Sequence, residues 1–233
     1  MKVHSIEELA DILESYGNEE LSSFQFSTKI LDELRSFKSR VKYCKDNLKY
    51  IGRGSSRMAF MMPNGHVIKL AFNRKGVAQN EVESGDYVKN QMDCFAKCYN
   101  CANDYTWLEV EAAARCYERD FPRLLGITFK ETLDVIVSMY RQRVTPNSFR
   151  GHGIASERTK EIEQMVWDDP EKHDVLYDLF EYIGNYDVGE YSLRDLWNIR
   201  NWGIVVRDGQ EKLVITDSGL NDEVWNNYYR RNW

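Results

Sequence analysis

The stretch from Tyr50 to Ala71, YIGRGSSRMAFMMPNGHVIKLA, constrains this chain more than any other. Apolar runs of strand length are broken first by Gly52-Arg53-Gly54 and then by Pro63-Asn64-Gly65. Gly, Pro and Asn supply the backbone angles needed to reverse direction, so the pattern predicts three antiparallel strands joined by two tight turns. Such a sheet must bury a face against something else, and helical periods on either side of it offer the cover.

Upstream, Ile6, Leu9, Ala10, Leu13 and Tyr16 recur at three and four residues behind a Ser5/Glu8 capping box, which predicts a helix. A second helix is expected from Ser27 to Val41 on the stripe Ile30, Leu34, Phe37 and Val41. Downstream, residues 76–90 read as weakly helical and Thr106 to Arg119 as more firmly so. RLLGITF and LDVIVSMY read as two more strands, completing a five-stranded antiparallel sheet. The turn-rich segment TPNSFRGHGIAS reads as a lobe boundary, followed by a strong helix, DVLYDLFEYIG, and by a GIVV/KLVIT hairpin around Asp208-Gly209. The expected fold is α+β in three parts: an N-terminal helical extension (residues 1–45), a sheet lobe (46–144) and a reduced helical lobe (145–233).

A net charge of −6 argues against a general nucleic-acid binder. No apolar run approaches a membrane span, and the first residues match neither a signal nor a transit peptide. The five cysteines are odd in number and irregular in spacing, which suits reduced thiols, and a cytoplasmic protein is expected. Cys94, Cys98 and Cys101 offer only one Cys-x-x-Cys spacing, so idle thiols are favoured over a zinc clip.

The chemistry begins at Gly52 and Gly54. A turn without side chains lets backbone N–H groups approach phosphate oxygens, although a hairpin with no ligand has the same signature. Lys69 interrupts the apolar run HVIKLAF, so its ammonium needs an anionic partner. Glu81, in the next helix, is the expected carboxylate, the alternative being a solvated helix charge. Asp217 follows KLVIT at a strand end, where a carboxylate can reach a metal ion.

The order of Gly-x-Gly turn, Val-Ile-Lys strand, helical Glu, Arg-Asp segment, Asn and Asp-Ser-Gly resembles the protein-kinase family. The words GRGSSR, PNG, VIKLA, AQNE and GLNDEVWNNYY are similar to those of small phage-encoded kinase-like proteins, over about Tyr50 to Tyr229. The resemblance implies a two-lobed kinase-like fold that binds ATP and magnesium. It places Gly52, Gly54, Ser55, Ser56 and Arg57 at the phosphates and pairs Lys69 with Glu81. Asp195 takes the role of catalytic aspartate, and Asn201 and Asp217 those of magnesium ligands. It further implies a phosphotransferase acting on a host protein or, alternatively, an inactive pseudokinase that binds and inhibits a host or viral protein. Three positions depart from the family pattern: Arg57 stands at the third glycine, Leu193 at the histidine, and Asn201 lies six residues after Asp195 instead of five. Fourteen residues follow Gly219, so no peptide-seating platform is expected.

Overall fold

The computed structural model describes residues 26–85, 87–144, 156–186 and 188–230. The helix expected over residues 5–16 and most of the expected lobe boundary lie outside them.

The chain is mixed α+β, with a five-stranded antiparallel sheet as expected. Two helices lead into it, α1 (Thr28–Glu33) and α2 (Phe37–Asn47), where the sequence predicts one. The break falls at Ser36, whose extended backbone and side chain cap α2: its Oγ accepts from the Ser39 N–H at 3.0 Å, and Ser39 returns the bond. A capping box restarts the helix instead of letting it run through.

Strands β1 (Lys49–Arg53), β2 (Arg57–Met61) and β3 (Val67–Ala71) follow the predicted pattern, with Gly65 at a φ of 83° in the β2–β3 turn. The sheet is completed in the order β1-β2-β3-β5-β4 by β4 (Cys98–Cys101) and β5 (Trp107–Val110). The strand count is as expected, but its last two members are not. Thr106 to Arg119, expected helical, forms β5 and β6 (Ala114–Arg115). Leu108 and Val110 pack with Met61 and Val67 on one face of the sheet, while Trp107 packs with Phe60, Ile68 and Leu70 on the other. A strand covered on both faces shows no polar alternation, so its sequence period is uninformative.

Of the two segments expected as strands, RLLGITF spans the end of helix α5 (Asp120–Leu125), a turn and the first residue of helix α6 (Phe129–Val144), and LDVIVSMY lies within α6. Gly126, at a φ of 75°, closes α5. A Thr128/Glu131 box opens α6: the Thr128 N–H donates to Glu131 Oε2 at 2.8 Å, and the Glu131 N–H donates to Thr128 Oγ1 at 3.2 Å. Within α6, Thr132, Val135 and Ile136 are buried at helical spacing, and that packing overrides the β-preference of Val and Ile.

Between β3 and β4 lie α3 (Arg74–Gly85) and α4 (Tyr87–Gln91). Beyond α6 come α7 (Glu157–Asp168), α8 (Asp174–Asn185), α9 (Glu190–Leu196), a 3-10 turn (Ile199–Asn201), the β7–β8 hairpin (Trp202–Arg207, Gln210–Ile215) and α10 (Asp222–Tyr228). The α8 helix buries Val175, Leu176, Leu179, Phe180 and Ile183, the face its sequence predicts. Strands β6, β7 and β8 form a second antiparallel sheet.

One core lies between α1, α2 and the five-stranded sheet, around Leu31, Phe60, Leu70 and Trp107. Another joins α5–α9 to the second sheet, around Phe121, Ile136, Phe180 and Leu213. This second core takes in α5 and α6, from the segment read as the sheet lobe, and also Cys94 and Phe95, which precede β4. Among the described residues no helix is long and apolar enough to cross a membrane.

Candidate functional site

A cleft of about 710 Å³ opens where the glycine turn, the inner face of the five-stranded sheet and the end of β8 meet. Strand alternation decides what faces it. In β3, Ile68 and Leu70 turn to the helix-covered side, so Lys69 turns to the cleft. In β2, Met58 and Phe60 do the same and send Arg57 to the cleft. Of the site residues read from the sequence, Gly52, Gly54, Ser55, Ser56, Arg57, Lys69, Asp195, Asn201 and Asp217 all line this cleft. Glu81 does not; its side chain is exposed on the outer side of α3.

The carboxylate that meets Lys69 is Glu83. Lys69 Nζ donates to Glu83 Oε1 and to the Thr216 carbonyl, while Arg57 donates to Glu83 Oε2 at 2.7 Å. Helical phase explains the correction. Gly76, Gln79 and Asn80 are the buried residues of α3, and Glu83 continues that stripe where Glu81 falls off it. The stripe is polar and glycine-bearing, so a search for apolar periodicity passes over it. Burial alone would raise the Glu83 carboxyl; Lys69 and Arg57 outweigh it and hold the group at about 2.

Arg57 corrects a second expectation. Its guanidinium is 8% exposed and turned inward, donating to Asn80 Oδ1 at 3.2 Å, to Glu83 and to Asp217 Oδ1. Burial works against the charge, but Asp217 and Glu83 more than compensate and push its pKa up. One side chain thus ties the strand after the glycine turn to α3 and to the end of β8.

The glycine turn itself is bare. A Cβ on Gly52 would meet nothing within 4 Å, and one on Gly54 only the Arg57 carbonyl at 3.8 Å. The chain's own packing therefore does not require glycine at either position. Close approach is needed elsewhere: a Cβ on Gly76 would lie 2.3 Å from the Ser56 carbonyl oxygen, and one on Gly219 2.6 Å from that of Gln79. These contacts press α3 against the turn and against the segment after Asp217. Ser56 Oγ donates to Gln79, and Gln79 Nε2 donates to the Tyr229 hydroxyl at 3.2 Å, which carries the arrangement out to the end of α10.

Across the cleft, Asp195 sits in the last turn of α9 and the 3-10 turn absorbs the additional residue before Asn201. Asn201 Nδ2 donates to the Asp195 carbonyl at 2.9 Å and to its Oδ1 at 3.1 Å, and the Thr216 N–H donates to the Asn201 carbonyl at 2.7 Å. Burial and the nearby Asp217 charge raise the Asp195 carboxyl to about 7, against the opposing effects of Arg57 and the Asn201 hydrogen bond.

Arg57 and Lys69 in this cleft are balanced by Glu83 and Asp217, and beyond that set Arg53, Arg115 and Arg200 line it against Glu111 and Asp195. Its fit to magnesium is poor. Magnesium takes carboxylate oxygens in octahedral geometry. Here one Asp217 oxygen accepts from Arg57, and burial with the nearby Asp217 charge raises the Asp195 carboxyl, so that it holds a proton more readily than an ordinary carboxylate. A divalent ion on Asp217 would share that carboxylate with a guanidinium, a repulsion on the order of several kcal/mol at contact range. Among the described residues no three His, Cys, Asp or Glu side chains converge on one point. Cys94 is buried in the second core, and Cys98 on β4 is pushed up to about 11 by burial and keeps its proton.

No family model, curated protein or solved structure matches the chain.

Proposed function

We propose that the chain is a two-lobed kinase-like protein that holds a nucleoside triphosphate, ATP on the sequence resemblance, and binds a partner protein in that state. The carrying observation is the pair of exposed arginines, Arg53 and Arg200, in a cleft beneath a bare glycine turn, within a chain of net charge −6. Phosphate oxygens are held by positive charge and by backbone approach, and the side-chain-free turn beside Arg53 supports both. The Arg57–Asp217 contact favours a pseudokinase, because it engages the carboxylate that would otherwise carry the metal. On the phage resemblance, the partner is a host or viral protein met in the host cytoplasm.

A phosphotransferase is the second reading, and the Asp195 carboxyl favours it. A group at about 7 is poised to take a proton from an acceptor hydroxyl at neutral pH.

A thermal-shift titration with ATP tests the first reading: wild type is stabilised and Lys69→Met is not. Equal response of the two proteins would refute a nucleotide in this cleft. Incubation with γ-labelled ATP and host lysate separates the two readings. Label on a protein that disappears with Asp195→Asn establishes transfer; nucleotide binding without label establishes the pseudokinase.

A further inference from the structure

Arg57 has no freedom to act as an ordinary phosphate-contacting arginine. Its guanidinium is buried and donates to three side chains on two separate parts of the fold: Asn80 and Glu83 of α3, and Asp217 after β8. Arg57 and Lys69 together balance Glu83 and Asp217, so the cluster is neutral with every charge in contact with an opposite one. The positive charge that a bound cation would bring to Asp217 is already present, covalently attached and not exchangeable with solvent. A metal ion arriving there would share the Asp217 carboxylate with a buried guanidinium, and the two positive charges would repel. Arg53 and Arg200 line the same cleft, and their side chains are exposed.

We propose that the cleft takes its nucleoside triphosphate free of divalent metal, with Arg57 as the permanent counter-cation of Asp217. This rests on the nucleotide reading above and specifies the form of the ligand. Metal-free nucleotide carries more negative charge than its magnesium complex, and the cationic lining suits the more highly charged form.

Calorimetric titration of the full chain with ATP, once in EDTA and once in excess magnesium chloride, is the test. Affinity in EDTA is expected to equal or exceed that in magnesium. Affinity at least about tenfold weaker in EDTA would overturn the inference while leaving the nucleotide reading intact. Absence of heat in both buffers would overturn both. Asp217→Asn, at a half-exposed position, removes the carboxylate a metal would need, with circular dichroism to check the fold. The ratio of its affinity in EDTA to that in magnesium is expected to match wild type's. A loss of about tenfold or more confined to the magnesium buffer would show that Asp217 carries a metal after all. Arg57→Met is expected to lose metal-free binding, and Arg57→Lys, which retains the charge, to preserve most of it. Unchanged metal-free binding by a folded Arg57→Met protein, with circular dichroism as the check, would also defeat the assignment.

Discussion

The guanidinium of Arg57 donates to the carboxylate of Asp217, 160 residues further along the chain. That bond joins the strand leaving the glycine turn to the segment that closes the second sheet, and it brings Glu83 and Lys69 into the same cluster. Its consequences can be measured on the free protein.

Glu83 is held between two cations while Glu81 faces solvent. Glu83→Gln leaves Lys69 and Arg57 with too little negative charge in a buried site and is expected to cost about 3 kcal/mol. Glu81→Gln is expected to change stability by no more than about 0.5 kcal/mol. Urea denaturation of both variants checks the contrast. Equal losses would mean that Glu83 is not the partner of Lys69.

The same carboxyl sets an acid limit. Its folded-state pKa of about 2 lies below its ordinary 4.5. Its contribution is therefore complete above pH 4.5 and disappears as pH falls towards 2. The unfolding midpoint of wild type is expected to drop through that window, with a shallower slope for Glu83→Gln. Parallel curves would count against the cluster as a source of acid sensitivity.

Asp195 works in the opposite direction. Its carboxyl is raised from 3.8 to about 7, so its folded form favours the proton, and stability is lost as pH rises between those values. Asp195→Asn is expected to be more stable than wild type at pH 8, by roughly 2 kcal/mol after allowance for partial solvent exposure, and to lose that advantage near pH 4. Carbon-detected NMR of the Asp side chains should find one carboxyl titrating near neutrality that Asp195→Asn removes. A set of carboxyls all titrating in the ordinary range would refute it.

The glycines separate packing from ligand contact. Gly76→Ala places a methyl group 2.3 Å from the Ser56 carbonyl oxygen. It is expected to destabilise by about 2 kcal/mol or more, although Ala is favoured over Gly by about 1 kcal/mol inside a helix. Gly52→Ala meets open space and is expected to leave the melting temperature almost unchanged while weakening ATP binding. Thermal melts with and without ATP read both effects. If Gly52→Ala bound ATP normally, the bare turn would not be the phosphate contact.

Elements with local signals were legible in the sequence. Tyr50 to Ala71 carries its own turns, and α8 carries an apolar face of five residues, so each states its structure without reference to the rest of the chain. That Gly52, Lys69 and Asp217 stand out from their neighbours was legible for the same reason, and the fold brings all three to one cleft. Legibility failed at Thr106 to Val144. There β5 is buried on both faces and loses its alternation, and the β-branched residues of α6 outweighed a Thr128/Glu131 cap that was present to be read. Glu83 was missed because the buried stripe of α3 consists of Gly, Gln and Asn, which no apolar count detects.

The sequence by itself determined where the chain turns, which residue types reach the cleft, and that Lys69 must find an anion. Only the tertiary structure decided which anion, and that Arg57 turns inward to Asp217. Period and propensity act over a few residues, whereas the partner of a buried charge is chosen by whichever distant segment the packing of two sheets and α3 brings within hydrogen-bond reach.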